Sequence, residues 1–385
     1  MKDHLRNYII ISGLLLKDNN RGTAALGYGA FSFLKEQGLL EEPIKIVNFR
    51  YVMNPFKKQN RGTTILHLNI QGLRVEQHIV NVHTWEKKIF DIFGFLFIFS
   101  RFGRYLKKVR FVAAINGGDG FSDIYNTPTF LNRLHDSNFA IRMGIPLILL
   151  PQTLGPFKEK NNLAVAEKIL KYAQKVYVRD DKFVKELNSM GVNYEQTKDL
   201  SAFMLPEPWD IDIIPDSIGI NVSGLAYSNQ FRTLAGQFEN YPLLIDATIR
   251  HFQSMGKTVY LIPHSYNYQT PETNNDDLIA CRAAYNRLEK KDKVVLIDKD
   301  MISPQIKYVI SKMSFFIGTR MHANFAAIYT GVPLFGMSYS YKFEGAFNAN
   351  GLDGTFQTAM INNIRKEDIP TYIEKIDKVY KSFMK

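Results

Sequence analysis

The sequence predicts two doubly wound, Rossmann-like α/β domains facing each other across a cleft. Three observations predict it. Short apolar runs of strand character alternate with helical patterns along the chain, as parallel α/β architecture requires. The length, 385 residues, exceeds one average domain. A proline-rich stretch, LPEPWDIDIIPD at 205–216, interrupts the alternation, which then restarts, so this stretch reads as an interdomain linker. The expected domains are 1–206 and 207–385.

In the first half, strands are expected at 8–12, 44–49, 110–115, 145–150 and 176–179, with an extra hairpin in 61–83. Helices are expected at 23–37, stopped by Gly38, and at 180–190, stopped by Gly191. The second half gives strands at 217–222, 258–262, 294–297, 314–317 and 332–337. Helical patterns at 241–255, 276–288, 303–312 and 318–331 separate them.

Composition narrows the class. Hydrophobic residues make up 45% and charged residues 22%, as in ordinary globular proteins. A net charge of +11 suits anionic partners, but the basic residues are spread out and form no nucleic-acid reader motif, so none is expected as a partner. The lone Cys281 excludes an internal disulfide and reads as a small buried hydrophobe. The N-terminal MKDHLRNYIIISG carries no signal-peptide pattern, and no run reaches the roughly 20 apolar residues of a bilayer span. A cytoplasmic protein is expected.

One segment stands apart. IFDIFGFLFIF at 89–99 holds five phenylalanines, between Lys87–Lys88 and Arg101, Arg104, Lys107, Lys108 and Arg110. It reads either as a core helix or as an anchor at the inner membrane face, with aromatic groups in the acyl boundary and basic flanks on anionic headgroups. The peripheral segment would be 86–110.

Ligands of doubly wound sheets bind at the carboxyl ends of strands, which selects a few loops. DNNRGTAAL at 18–26 contributes Asn20 but lacks the glycine spacing of a dinucleotide site. INGGDGFSD at 115–123 offers Gly117 and Gly118 for close backbone approach and Asp123 for a hydroxyl-rich group. PQTLGPF offers Gln152, VRDD offers Arg179, NVSG offers Ser223 and PHSYN offers His264.

The strongest signal is GTRMHANFAAIYTG at 318–331. Thr319 is the expected N-cap, which puts Arg320 and His322 in the first helical turn. Cations there oppose the helix dipole by about 0.3–1 kcal/mol each, a sign that a bound phosphate or carboxylate reverses. The plain alternative is an ion pair between Arg320 and a carboxylate distant in sequence. Lys342, in a Tyr-rich turn, supplies a third cation. No metal-ligand spacing occurs, so no metal site is expected.

These residues resemble the polysaccharide pyruvyl transferases. The order G-T-R-M-H-A, G-V-P, Y-x-x-K across 318–342 carries the resemblance, together with INGGDGFSDIY, PQTLGPF, VRDD, DLSAF and SIGINVSG, over about 20–342. The N-terminal DNNRGT departs from the family's Asn-x-Gly-Asp pattern, so no role passes to Asp18. The resemblance implies a GT-B-like fold and phosphoenolpyruvate as donor, with no cofactor. The product would be a cyclic pyruvate ketal on a glycan acceptor, lipid-linked or mature, with the 4- and 6-hydroxyls of galactose as the candidate pair. It places Arg179, Arg320, His322 and Lys342 in the donor site, with Ser223 and His264 beside them. His322 is then the general acid/base, Arg320 its catalytic partner, and Asn20, Gly117, Gly118, Asp123 and Gln152 the acceptor side. The competing reading is a GT-B type glycosyltransferase using a nucleotide sugar.

Overall fold

Strand β1 (Tyr8–Ser12) has all five residues buried, because a central parallel strand is covered on both faces. In the computed structural model, which describes residues 6–53, 62–94 and 96–384, β1 lies between β2 (Ile44–Val52) and β5 (Val109–Ala114), parallel to both. The hairpin β3 (Thr63–Ile70) and β4 (Leu73–His83) extends one side, β4 parallel to β2 and β3 antiparallel to β4. Strands β6 (Leu147–Gln152), β7 (Lys175–Val178) and β8 (Glu195–Gln196) extend the other. The order is β3-β4-β2-β1-β5-β6-β7-β8, so the winding direction reverses between β1 and β5.

A second sheet follows: β9 (Ile218–Asn221), β10 (Val259–Leu261), β11 (Val294–Leu296), β12 (Phe315–Gly318), β13 (Leu334–Ser338) and β14 (Thr358–Met360). All its pairings are parallel, in the order β11-β10-β9-β12-β13-β14, with the reversal between β9 and β12. Alternation along the strands feeds two cores. Ile218, Ile220, Phe315 and Ile317 pack on one face, and Tyr260, Ile262 and Phe316 on the other. Truncating one such ring, as in Phe316→Ala, removes about 3–5 kcal/mol.

The chain forms two compact units, one comprising 1–15 and 26–203, the other 16–25 and 204–385. This corrects the expected first domain. Residues 16–25 join the second unit because Asn20 bridges Ser265, and Arg21 donates to the Met301 carbonyl (2.7 Å) and to Asp300 (3.2 Å). The proline-rich stretch is not a free tether. Trp209, Ile211 and Ile213 pack on the second unit's core, and Lys307 donates to the Met204 carbonyl.

The aromatic segment divides its residues. Helix Thr84–Phe93 buries Phe90 against Phe102 and Phe139, while Ile92, Phe93, Ile98 and Phe99 stay exposed. Phe95 lies outside the described residues. Among the described residues, no helix is long and apolar enough to cross a membrane.

Candidate functional site

In the second unit the reversal point brings together the ends of β9 and β12. Asn221, the last residue of β9, accepts the Arg320 backbone N–H (2.9 Å) and donates to the Ile262 carbonyl (3.0 Å). The helix after β12 runs Met321–Ile328, and its N-cap is Arg320 in an extended conformation (φ −90°, ψ 135°). This corrects the sequence expectation. Thr319 does not cap; it is buried and shares a hydrogen bond with the Tyr241 hydroxyl (2.8 Å). Arg320 therefore stands outside the first helical turn, and His322 lies within it.

Arg320 turns away from the helix to Asp277. Its Nε and Nη2 both reach Asp277 Oδ1 (3.0 and 2.7 Å), and Nη2 also donates to the Asn275 side chain (2.7 Å). Burial alone would lower the guanidinium pKa; the Asp277 carboxylate reverses this and holds it above its ordinary value. The distant carboxylate weighed as the plain alternative thus exists, and it uses two of the three guanidinium nitrogens. Nη1 has no hydrogen-bond partner among the described residues.

Asp277 is the residue that sequence reasoning missed. It is wholly buried and also accepts the Gly224, His264 and Ser265 backbone N–H groups (2.8, 3.1 and 2.9 Å) and the Asn221 side chain (3.2 Å). One carboxylate thereby fixes three strand-end loops. The only signal was the pair Asp276–Asp277, and Asp276 does what the pattern suggests, capping the helix Asp277–Arg287 through the Leu278 and Ile279 N–H groups.

The imidazoles sit in this frame. His264 is buried, and burial first, then the charges of His322, Arg320 and Arg21, pushes its pKa well below the ordinary value, so it is neutral. His322 lies against Gly22, where a Cβ would come within 2.5 Å of Nδ1, and meets Phe325 edge-on. Gly22 is required by that approach. Asn20 accepts the Gly22 N–H (3.0 Å) and so shapes the same turn, in the second unit and not on the acceptor domain where the sequence reading put it. Ser223 is fully buried, and its Oγ has no hydrogen-bond partner. Lys342 opens the helix Lys342–Asn348, exposed and without an ion-pair partner among the described residues.

The first unit holds a second cluster. Asn116, Gly117 and Gly118 have φ of +49°, +70° and +83°, so the glycines are there for backbone geometry as well as for space. Gly118 faces the Arg179 guanidinium, 3.2 Å from where a Cβ would lie, and Gly117 faces Arg133. Arg179 pairs with the buried Asp199 of DLSAF (2.6 Å) and donates to Thr153 (2.9 Å). Two expected acceptor groups are committed elsewhere. Asp123 accepts the Lys158 and Glu159 N–H groups and the Asn162 amide (2.9, 3.0 and 3.0 Å), holding the 158–162 turn. Burial would raise its pKa, and those donors bring it below the ordinary value instead. Gln152, fully buried in β6, donates to the Ala114 and Leu150 carbonyls (both 3.0 Å) and braces β5 against β6. Arg133, which the sequence reading passed over, has a buried Nη1 without a partner.

Comparison with known proteins agrees with this architecture. The putative UDP-N-acetylglucosamine 2-epimerase from Listeria monocytogenes is 12% identical, with a TM-score of 0.53, covering 97% of this chain and 90% of that one. The UDP-GlcNAc 2-epimerase from Neisseria meningitidis is 11% identical, with a TM-score of 0.51, covering 98% and 93%. At such identities the likeness shows the fold, which is of GT-B type with two largely parallel α/β sheets. No curated protein sequence matches. The family model described as polysaccharide pyruvyl transferase matches residues 20–341, nearly all the motifs described above, and the chain belongs to that family.

Proposed function

We propose that the protein transfers the pyruvyl group of phosphoenolpyruvate to two hydroxyls of one sugar, releasing phosphate and leaving a cyclic ketal. The acceptor is a surface polysaccharide or its lipid-linked precursor, with O4 and O6 of galactose as the candidate pair. Membership of the family supports pyruvyl transfer to a polysaccharide. The donor assignment is carried by one observation: His322 stands in the first turn of a helix at the reversal point, beside a partly buried, charge-locked Arg320. A helix N-terminus at a strand end favours an anion, and phosphoenolpyruvate is a dense one.

The proton inventory closes on a single group. His322 delivers a proton to the methylene carbon of the donor, and C2 gains oxocarbenium character. One sugar hydroxyl adds to C2 and gives up its proton, phosphate departs with cleavage of its C2–O bond, and the second hydroxyl closes the ring. Of the two hydroxyl protons, one ends on the new methyl group and one leaves with phosphate. A histidine serves both directions of transfer near neutrality. Arg320 contributes Nη1 alone, because Asp277 and Asn275 take its Nε and Nη2. Lys342 adds an exposed charge at the start of the helix Lys342–Asn348. The family's motif order, not its geometry, assigns Arg179 to the donor. The reading assigns no metal, cofactor or nucleic acid.

The reading also places the protein in the cytoplasm against the inner membrane face. Exposed Ile92, Phe93, Ile98 and Phe99 near Lys87, Lys88, Arg101 and Arg104 support this part. Incubation of candidate acceptors with carbon-labelled phosphoenolpyruvate, and separately with nucleotide sugars, followed by mass spectrometry, tests the transfer. A labelled pyruvyl increment is expected; glycosyl increments from nucleotide sugars alone would replace this reading with glycosyl transfer. Flotation with anionic vesicles tests the membrane part.

A further inference from the structure

A cavity of about 710 Å³ lies in the first unit at the carboxyl end of β4, away from the loops already described. Asn81 and His83 line it from alternate positions of β4, and Trp85 and Glu86 line it from the first turn of the helix Thr84–Phe93. Its remaining wall includes Phe97 and the two arginines of the helix Arg101–Leu106, Arg101 and Arg104. The size suits a small organic ligand.

Its polar lining is unbalanced. Asn81 Oδ1, His83 Nδ1 and Glu86 Oε1 are buried and have no hydrogen-bond partner, although Asn81 is only 8% exposed and Glu86 only 5%. Buried polar atoms in folded proteins are almost always satisfied, so three gathered around one cavity call for donors from outside the chain. No ion pair joins Glu86 to Arg101 or Arg104, which leaves a carboxylate and two guanidinium groups around the same space. Trp85, half exposed, adds an aromatic surface, and Ile98 and Phe99 reach solvent next to it.

We propose that this cavity binds a glycosyl phosphate: sugar hydroxyls donate to Asn81, His83 and Glu86, the ring lies against Trp85, and the phosphate meets Arg101 and Arg104. Neutral hydroxyl donors suit acceptor oxygens and a carboxylate at once, an apolar ligand would leave all three unsatisfied, and a bare phosphate would face Glu86. Position agrees with chemistry, because β4 ends at the same edge of the sheet as β1 and β5, where doubly wound sheets take their ligands. The inference rests on the glycan-acceptor reading only for its biological setting. A glycosyl phosphate reaches such a site free or esterified to a lipid, and the exposed Phe99 offers a contact for a hydrocarbon chain.

Titration of the full-length Trp209→Phe protein makes Trp85 the sole indole, since the sequence has two tryptophans. Galactose 1-phosphate and glucose 1-phosphate are the probes, with free galactose and inorganic phosphate as controls. A saturable fluorescence change with the sugar phosphates is expected, weakened about tenfold or more by Glu86→Gln and by Arg101→Ala/Arg104→Ala. No saturable change, an equal response to inorganic phosphate, or full binding by both variants overturns the proposal. Circular dichroism checks that the variants are folded. Galactosyl phosphate esterified to a short prenyl chain separates the sources: tighter binding that Phe99→Ser abolishes assigns the lipid-linked ligand, and equal binding assigns the free one. No phosphoenolpyruvate is present, so this result and the donor reading stand or fall separately.

Discussion

Each unit ends one strand with an arginine tied to a buried aspartate, Arg179 to Asp199 after β7 and Arg320 to Asp277 after β12. The two devices differ in what else the carboxylate holds. Asp277 collects six donors from three strand-end loops at the reversal point of its sheet. Asp199 holds Arg179 and the adjacent turn through Ser201. Beside Asp277, the Ser223 Oγ and the Asn324 Oδ1 are buried and left without partners. In the first unit Asn116, the Gln152 Oε1 and the Arg133 Nη1 are left without partners. Both units thus keep buried polar capacity that a ligand can use, and they differ in how many loops one carboxylate ties together.

The contrast is broken most directly at the carboxylates. Asp277→Ala should cost about 3–5 kcal/mol in denaturant unfolding, because it strands a partly buried cation and several buried backbone donors. Asp199→Ala should cost less, about 1–3 kcal/mol, since Arg179 keeps Thr153 and lies near Asp180. Equal losses would remove the distinction. At the chemical group itself, His322→Gln should lower ketal formation by about 10²–10⁴ with an unchanged unfolding midpoint. Near wild-type turnover would take His322 out of the mechanism.

A smaller effect is expected at the close approach beside it. Gly22→Ala places a methyl 2.5 Å from the His322 ring, so the ring must shift. Stability should fall by about 1–3 kcal/mol and turnover with it, whereas Gly38→Ala, with open space around it but φ of +67°, should change stability alone.

Acid stability compares the units through two histidines held neutral. His135 in the first unit is pushed down to about 4 by burial and then by Lys87, and His264 in the second is lowered by burial and the surrounding cations. Below the unfolded value of about 6.5 the unfolded chain binds protons that the folded chain refuses. Their contribution is therefore complete above about pH 6.5 and is lost as pH falls, for His135 down to about pH 4. Urea unfolding followed against pH should show a flatter acid limb in His135→Asn and His264→Asn. An unchanged slope would mean that neither imidazole is held neutral by the fold. Least of all should Trp85→Ala matter to folding: half exposed, it should alter stability by no more than about 0.5 kcal/mol, leaving any lost sugar binding attributable to the cavity.

Much of this was legible in the sequence. Strand periodicity and the proline-rich break gave two largely parallel sheets, and GTRMHA marks the end of β12 at the reversal point of the second. Thr319 was misjudged because a cap is chosen by backbone direction, and the Tyr241 hydroxyl claims its side chain first. Asp123 and Gln152 have the residue types of a binding loop, yet their hydrogen bonds go to their own neighbours. Asn81, His83 and Glu86 gave no signal, since a lone Asn, His and Glu in a strand and helix start are ordinary in sequence.

Alternation, turn chemistry and motif order are local along the chain, so the fold class and the family could be read from it directly. The partners of the basic residues come from folding. The anion that Arg320 calls for is first supplied by Asp277, 43 residues away in sequence, and a carboxylate brought up by folding leaves no trace in local pattern.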